Sequence, residues 1–341
     1  MTTYIGTANP GFAPYAMEEL RKRIPGSAVS GLAPGETFRF TSGGMDDAAL
    51  LKELRRDEPV FLRHLFPIEA EAQLTSDPAS TADSLRRYAE TLADRVKGRK
   101  IAVQVRKSHG SPFPFTSVEG RDFVAEVIRE AGAELVAREA DLIVSVYAAH
   151  KTLYTGCSAP KDNLSDWPGG AVRFRREEGL ISRAAFKLLE AEQAFRLPLD
   201  KFTNALDLGA APGGWTSVLL ERGLKVTAVD PAQLDPALED HPMLRHIQKN
   251  ASEISFSPGT FDLLVCDMSW DPYNTCRLVS ELASSMTAGA SGIITLKLMY
   301  RKPFNTLQEL SRAYGEVFDI RRIKQLFHNR EEVTMWVRRK P

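Results

Sequence analysis

The stretch ALDLGAAPGGWTSVLL, residues 205–220, decides the fold. An apolar run carrying Asp207 gives way to Gly209, Ala210, Ala211, Pro212, Gly213 and Gly214, and then to a helix-length apolar segment opening on Trp215. A strand, a turn of small residues and a helix together begin a strand–helix–strand unit. Glycine suits a turn whose backbone bends sharply or approaches a ligand, because a Cβ there would collide or force an unfavourable φ. The spacing is not G-x-G-x-x-G, Pro212 withholds an amide donor, and the lysine of a phosphate-binding loop is missing. The turn is therefore ill suited to a pyrophosphate and better suited to a nucleoside with a charged amino-acid tail. Asp230 ends the next strand-like run, about 20 residues on, where an acid accepts from ribose hydroxyls.

Strand-like runs at NALDL, KVTAVD, DLLVCD, GIITLKL and VTMWV, separated mostly by helix-length segments, fill the chain from residue 173 onward. Their near-continuous apolar character predicts parallel strands buried on both faces. Residues 173–341 are thus expected to form an α/β, doubly wound, mostly parallel sheet. TGCSAPKDNLSDWPGG (155–170) is rich in turn formers and has no apolar period, which places a linker at 161–172. Before it, 76–160 reads as a small α/β domain. TSDPASTADSLRRYAETLADRV puts Leu85, Tyr88, Leu92 and Val96 on one helical face, behind capping residues. The strand IAVQV (101–105), a helix with Phe123, Val127, Ile128 and Ala131 on one side, and the strand DLIVSVY (141–147) follow. Residues 1–75 read as short strands, TYIGTAN among them, and one helix, PYAMEELRKRI, with Met17, Leu20 and Ile24 at helical spacing.

Lys and Arg number 44 against 44 Asp and Glu, so bulk charge does not mark a nucleic-acid binder. Basic residues do concentrate at 95–107, 173–176, 321–330 and the chain end, which favours phosphate contacts there. Phe113, Phe115 and Phe327 suit either base stacking or a core. Cys157, Cys266 and Cys276 fit no C-x-x-C spacing, which argues for reduced thiols in a cytoplasmic setting, without a zinc ribbon or a disulfide frame. The opening MTTYIGTANPGF has neither a basic n-region nor an apolar h-region, so no signal peptide is expected. No apolar run approaches the roughly 20 residues of a membrane span. No cluster of ligands suggests a metal.

The D-L-G-A-x-P-G-G-W form resembles the first motif of S-adenosylmethionine-dependent methyltransferases, and most of all the FtsJ-type RNA ribose methyltransferases. Those enzymes carry a Lys-Asp-Lys-Glu tetrad, and matching residues occur here in the matching order. Lys187 lies in SRAAFKLLE, Asp267 ends LLVCD, Lys297 lies in ITLKL and Glu332 opens the last strand in NREEVTMWV. Lys297 is the least ordinary of the four, since a lysine interrupting an apolar strand is costly without a partner. The resemblance implies a Rossmann-like class I methyltransferase domain with S-adenosylmethionine as cofactor and a ribose 2′-hydroxyl as acceptor. A lysine serves as base only if its pKa falls from about 10.4 toward the working pH. Lys297 is expected in that role, with Lys187 depressing its pKa and holding the hydroxyl, and with Asp267 and Glu332 orienting lysines and ribose. SWDPYN (269–274) superficially resembles the D-P-P-Y loop of amino-group methyltransferases. It begins after Asp267 and lacks the second proline, and the tetrad favours oxygen over nitrogen as acceptor.

The likeness extends further. The stretch 153–195, from LYTGC to EQAF, is similar to the segment that joins a THUMP-type RNA-binding unit to an FtsJ-like domain. KQLFHNREEVTMWVRR (324–339) is similar to the C-terminus of the RlmM-type 23S rRNA (cytidine 2′-O)-methyltransferases, and GTANPGFAPYAMEELRKRI has the look of a THUMP-protein opening. By this likeness 1–75 is a ferredoxin-like α+β subdomain, 76–160 a THUMP-type RNA-binding domain and 173–341 the methyltransferase. The N-terminal half is shorter than is usual in the family. Cofactor contacts are implied at Ser182, Asp207, Gly209, Ala211, Pro212, Gly213, Gly214, Trp215, Asp230, Asn250 and Asp267. The family usually has an acid where Asn250 stands; asparagine still accepts from an exocyclic amine, so binding is expected with altered affinity. The implied partner is RNA, 23S rRNA first. The alternatives are the same reaction on tRNA or another RNA, and a catalytically silent RNA-binding or ribosome-assembly factor, which the intact tetrad opposes.

Overall fold

A computed structural model of the chain describes residues 1–174, 181–298 and 302–341. The chain forms two compact units, Met1–Val172 and Arg173–Pro341.

The first unit opens with β1 (Thr3–Thr7), α1 (Ala13–Arg23), β2 (Val29–Ala33), β3 (Thr37–Thr41), α2 (Asp47–Arg56) and β4 (His64–Pro67). The strands lie in the order β2-β3-β1-β4, all neighbours antiparallel. This β-α-β-β-α-β order is the split plan of ferredoxin-like folds. The sequence reading has only one helix here. It misses α2, which Asp46 starts by accepting from the Ala49 N–H and which buries little beyond Leu50 and Leu54. Then come β5 (Ala70–Gln73), α3 (Pro78–Glu90), α4 (Ala93–Val96), β6 (Lys100–Lys107), α5 (Ser117–Glu130), β7 (Glu134–Leu135), β8 (Leu142–Ala149) and β9 (Thr152–Ser158), with a sheet ordered β5-β9-β8-β6-β7. Leu85, Tyr88, Leu92 and Val96 all enter its core, as their spacing predicts.

The stretch read as a linker differs. Its first residues belong to β9, and the rest is bound onto the first unit. Gln104 donates to the Asp166 carbonyl, Arg63 to that of Gly169, and Arg138 lies over the Trp167 ring. Three of the six basic residues in the run 95–107 are also engaged within the unit. Arg95 pairs with Glu69, Arg106 with Glu36, and Lys107 donates to the Phe115 carbonyl. Phe113 is core, edge-on to Phe115. Of the run 173–176, Arg175 and Arg176 lie outside the described residues.

The second unit contains α6 (Ala185–Phe195), β10 (Asn204–Leu208), α7 (Gly214–Glu221), β11 (Lys225–Val229), β12 (Leu244–Ile247), β13 (Phe261–Cys266), α8 (Pro272–Glu281), β14 (Met286–Lys297), α9 (Pro303–Val317), β15 (Phe318–Lys324) and β16 (Glu332–Arg339). Seven strands run in the order β12-β11-β10-β13-β14-β16-β15, parallel except for β16, which is antiparallel to both neighbours. Leu263, Val265 and Ile293 join α6 and α7 in one core. The alternate residues Leu264, Cys266 and Ile294 are equally buried, so both faces of the sheet are covered. This is the doubly wound Rossmann-like fold expected. Strand order reverses between β10 and β13, which puts the crevice for ligands at the ends of those strands.

Candidate active site

Asp207, on β10, lies beneath the glycine turn, 1% exposed. Its carboxylate accepts from the Thr216 hydroxyl at 2.6 Å. Burial pushes its pKa up to about 7; the nearby charges of Asp267 and Asp230 add to this, while the Thr216 bond opposes it. The glycines above it are required by packing. A Cβ at Gly209 would stand 2.6 Å from Met268 Cγ, one at Gly213 2.4 Å from Leu238 Cδ1, and one at Gly214 2.9 Å from Ser182 Cβ. Gly209 and Gly213 also hold φ of +74° and +115°, where side chains are strained. The protein's own neighbours thus already demand glycine at these positions.

Beside the turn opens a cavity of about 300 Å³. Gly209, Ala211, Asp230, Asn250 and Asp267 line it, together with apolar surface from Val229, Pro231 and Met268 and the Trp270 side chain. The donor set fits a nucleoside with an ammonium-bearing tail. Carboxylates at two points can accept from hydroxyls or an amine, and apolar walls can cover a base. Asp230 has a second duty: its two oxygens accept from the Ala211 and Ala232 amides at 3.1 and 2.8 Å, so it braces the turn it faces. Asn250 accepts from the Ser252 amide and hydroxyl. The remaining implied contacts, Ser182, Asp207, Pro212, Gly213, Gly214 and Trp215, do not line the cavity. The Trp215 indole lies in the core, and its N–H donates to the Ala184 carbonyl at 2.8 Å. Met268 and Trp270 were missed as lining residues, although Trp270 lies in the SWDPYN stretch compared above with the D-P-P-Y loop.

At the edge of this cavity the four scattered polar residues meet. Lys187 Nζ donates to both Asp267 oxygens, at 3.0 and 3.1 Å, and lies 2.9 Å from Glu332 Oε1. Lys297 Nζ lies 2.9 Å from the other oxygen, Glu332 Oε2. The order in space is Asp267–Lys187–Glu332–Lys297. The sheet sets half of it, since Lys297 on β14 and Glu332 on β16 are register partners. Thr295, two residues before Lys297 and so on the same strand face, donates to Asp267 Oδ1 at 2.7 Å. The sequence reading missed it, although the i, i+2 spacing to Lys297 is visible.

Burial alone would lower the pKa of Lys187, but the charges and hydrogen bonds of Asp267 and Glu332 outweigh it, so its pKa is raised. Burial would raise that of Glu332, but Lys187 and Lys297 outweigh it, and its pKa is lowered. Such a group of two cations and two anions compensates the desolvation that any one of them would suffer alone. Lys187, in contact with both carboxylates, is clamped as a cation.

The FtsJ-like methyltransferase family matches residues 180–323. A protein of Halorhodospira halophila named "Ribosomal RNA large subunit methyltransferase M" is 39% identical over 190 residues, 54% of this chain and 54% of its own length. One of the same name from Laribacter hongkongensis is 36% identical over 51% of this chain and 52% of its own. In these two matches the chain therefore spans about half the relative's length. A third, from Marinobacter nauticus, is 29% identical over 97% of both chains.

Proposed function

We propose that this chain, a homologue of the ribosomal RNA large subunit methyltransferase M proteins with an FtsJ-like methyltransferase domain, methylates a ribose 2′-hydroxyl in 23S rRNA, most simply that of a cytidine. One observation carries the reading: Asp267 belongs both to the cavity and to the tetrad. A ligand in the cavity and a hydroxyl held by the lysines are therefore neighbours. S-adenosylmethionine, when bound there, supplies an electrophilic methyl group on a sulfonium. Asp230 and Asn250 would hold its nucleoside end, and Asp267 borders the reacting end.

Lys187, kept cationic by its two carboxylates, is a poor proton acceptor and a good donor of a hydrogen bond to the acceptor oxygen. Lys297, in its neutral form, takes the proton of the 2′-hydroxyl as that oxygen attacks the methyl carbon and the carbon–sulfur bond breaks. Glu332 holds both ammonium-bearing chains at fixed spacing, and Thr295 fixes Asp267. Alignment of nucleophile, methyl and leaving group supplies most of the acceleration, on the order of 7–11 kcal/mol. The domain assignment follows the same reading with one boundary moved: β5 (Ala70–Gln73) joins the second sheet, so a ferredoxin-like subdomain ending before residue 70 and a THUMP-type domain from there to 160 would hold RNA, with 161–172 leading to the methyltransferase at 173–341. Among the described residues no helix is long and apolar enough to cross a membrane. A ribosomal substrate would be met in the cytoplasm, which supports that location.

Mass-spectrometric mapping of ribose methylation in rRNA, with and without the protein, tests the proposal. One 2′-O-methyl group in 23S rRNA that disappears with the protein, and is not restored by Lys297→Ala, is the expected result. A methyl on a base would overturn the oxygen-acceptor assignment. A methyl on tRNA would move the substrate but keep the chemistry.

A further inference from the structure

Glu190 lies on α6 three residues after Lys187, on the same side of the helix, and is 4% exposed. A carboxylate is rarely buried so fully without partners, and this one has three. Glu190 Oε1 accepts from the Phe327 amide at 2.7 Å. Oε2 accepts from the His328 amide at 2.9 Å and from His328 Nδ1 at 2.7 Å. The His328 ring also lies 5.3 Å from that of Phe186, on the same helix. The segment so held connects β15 to β16 and delivers Glu332. Its shape is maintained from within: Asn329 Oδ1 accepts from the Leu326 amide and the Thr334 hydroxyl, and the Gln325 side chain donates to the Arg330 carbonyl.

One helix thus grips the β15–β16 connection through Glu190 and the residue that follows it, Glu332, through Lys187. The two grips are less than one turn apart, so the position of the connection sets the length of the Lys187–Glu332 contact. We propose that Glu190 is a positioning residue for the methyl transfer, fixing the backbone that presents Glu332 to both lysines. The inference rests on the tetrad being the catalytic group, as argued above. It assigns Glu190 no contact with substrate or cofactor, and Glu190 does not line the cavity.

The test is steady-state kinetics with transcribed 23S rRNA and tritium-labelled S-adenosylmethionine. Glu190→Gln keeps the length of the side chain but turns an amide NH2 toward N–H donors. Its kcat should fall ten- to a hundredfold, with the KM for RNA and the Kd for S-adenosylhomocysteine within twofold of the parent, because a displacement near 1 Å is enough to cost about 100-fold. Placed on a Glu332→Gln background, the same substitution should change kcat less than twofold, since it acts through the residue already altered. A kcat for Glu190→Gln within twofold of the parent, equal losses in kcat and in affinity, or fully multiplicative losses in the cycle would each overturn the proposal. Glu190→Ala, read per folded molecule by near-UV circular dichroism, should be slower than Glu190→Gln; if it folds and is faster, the proposal fails, and if it does not fold, Glu190→Gln decides. Lys297→Ala measured alongside separates the two levels. Full activity there sinks the catalytic reading itself, whereas an inactive Lys297→Ala beside an unaffected Glu190→Gln sinks only the role of Glu190.

Discussion

Asp207 makes the second unit's stability depend on pH in an unusual direction. The carboxyl is 1% exposed, has an ordinary pKa of 3.8 and is pushed up to about 7 in the fold. Below the unfolded value both states hold the proton. Between about 4 and about 7 the native state holds a proton that the unfolded chain has released, so the stability this proton confers is lost as pH rises through 7. Three units at 1.36 kcal/mol each give about 4 kcal/mol across the whole window, of which about 3 kcal/mol falls between pH 5 and pH 8. Asp207→Asn retains an acceptor for the Thr216 hydroxyl and removes the titration. Urea denaturation followed by tryptophan fluorescence, which reports Trp215 in the same core, should show the parent losing about 3 kcal/mol relative to Asp207→Asn over that interval. Parallel pH dependence of the two proteins, or a parent that gains on the variant as pH rises, would refute the reasoning: the first means that the buried acid ionises as it would in water, the second that the fold favours its charged form.

Thr295→Val removes the 2.7 Å bond to Asp267 while nearly conserving volume; kcat in the methylation assay should fall about tenfold, with the S-adenosylhomocysteine Kd, read by calorimetry, changed less than threefold. Gly213→Val places a branched side chain at φ +115° against Leu238 and should cost at least about 2 kcal/mol in thermal unfolding together with most cofactor binding. Asp230→Ala leaves the Ala211 and Ala232 amides without their acceptor, so cofactor affinity should weaken at least tenfold and stability by about 1–3 kcal/mol, separable by calorimetry and denaturation.

The parts of this architecture that can be read from sequence are those whose physics is local. The five apolar runs from NALDL to VTMWV announce themselves because both faces of each are buried. The two strands that escape, β12 and β15, sit at the sheet's edges, and their sequences LRHI and FDIRRIK mix polar and charged residues with apolar ones, so neither reads as a continuous apolar run. The tetrad is legible through order and strand-end placement, yet its connectivity is not. Nothing in Glu332 itself says that it bridges two lysines, or in Lys187 that it spans Asp267 and Glu332. Trp215 was drawn toward the cofactor by its place in the motif, whereas packing under the turn claims its ring. Glu190 reads as one more charge on an amphipathic helix, because its three donors come from residues about 137 positions away.

The pairing of Lys297 with Glu332 across β14 and β16 exposes the site to a kind of damage different from replacement of a side chain. The two residues are 35 positions apart, and what aligns them is the count of residues along two antiparallel strands. Inserting or deleting a single residue within β16, with the later residues keeping their register, would turn Glu332 at the head of the strand to the opposite face of the sheet, and it would lose its partner though no functional group had been exchanged. Sequence drift should therefore be tolerated far better than length drift in this pair of strands: the protein's arithmetic, more than its alphabet, is what must be kept.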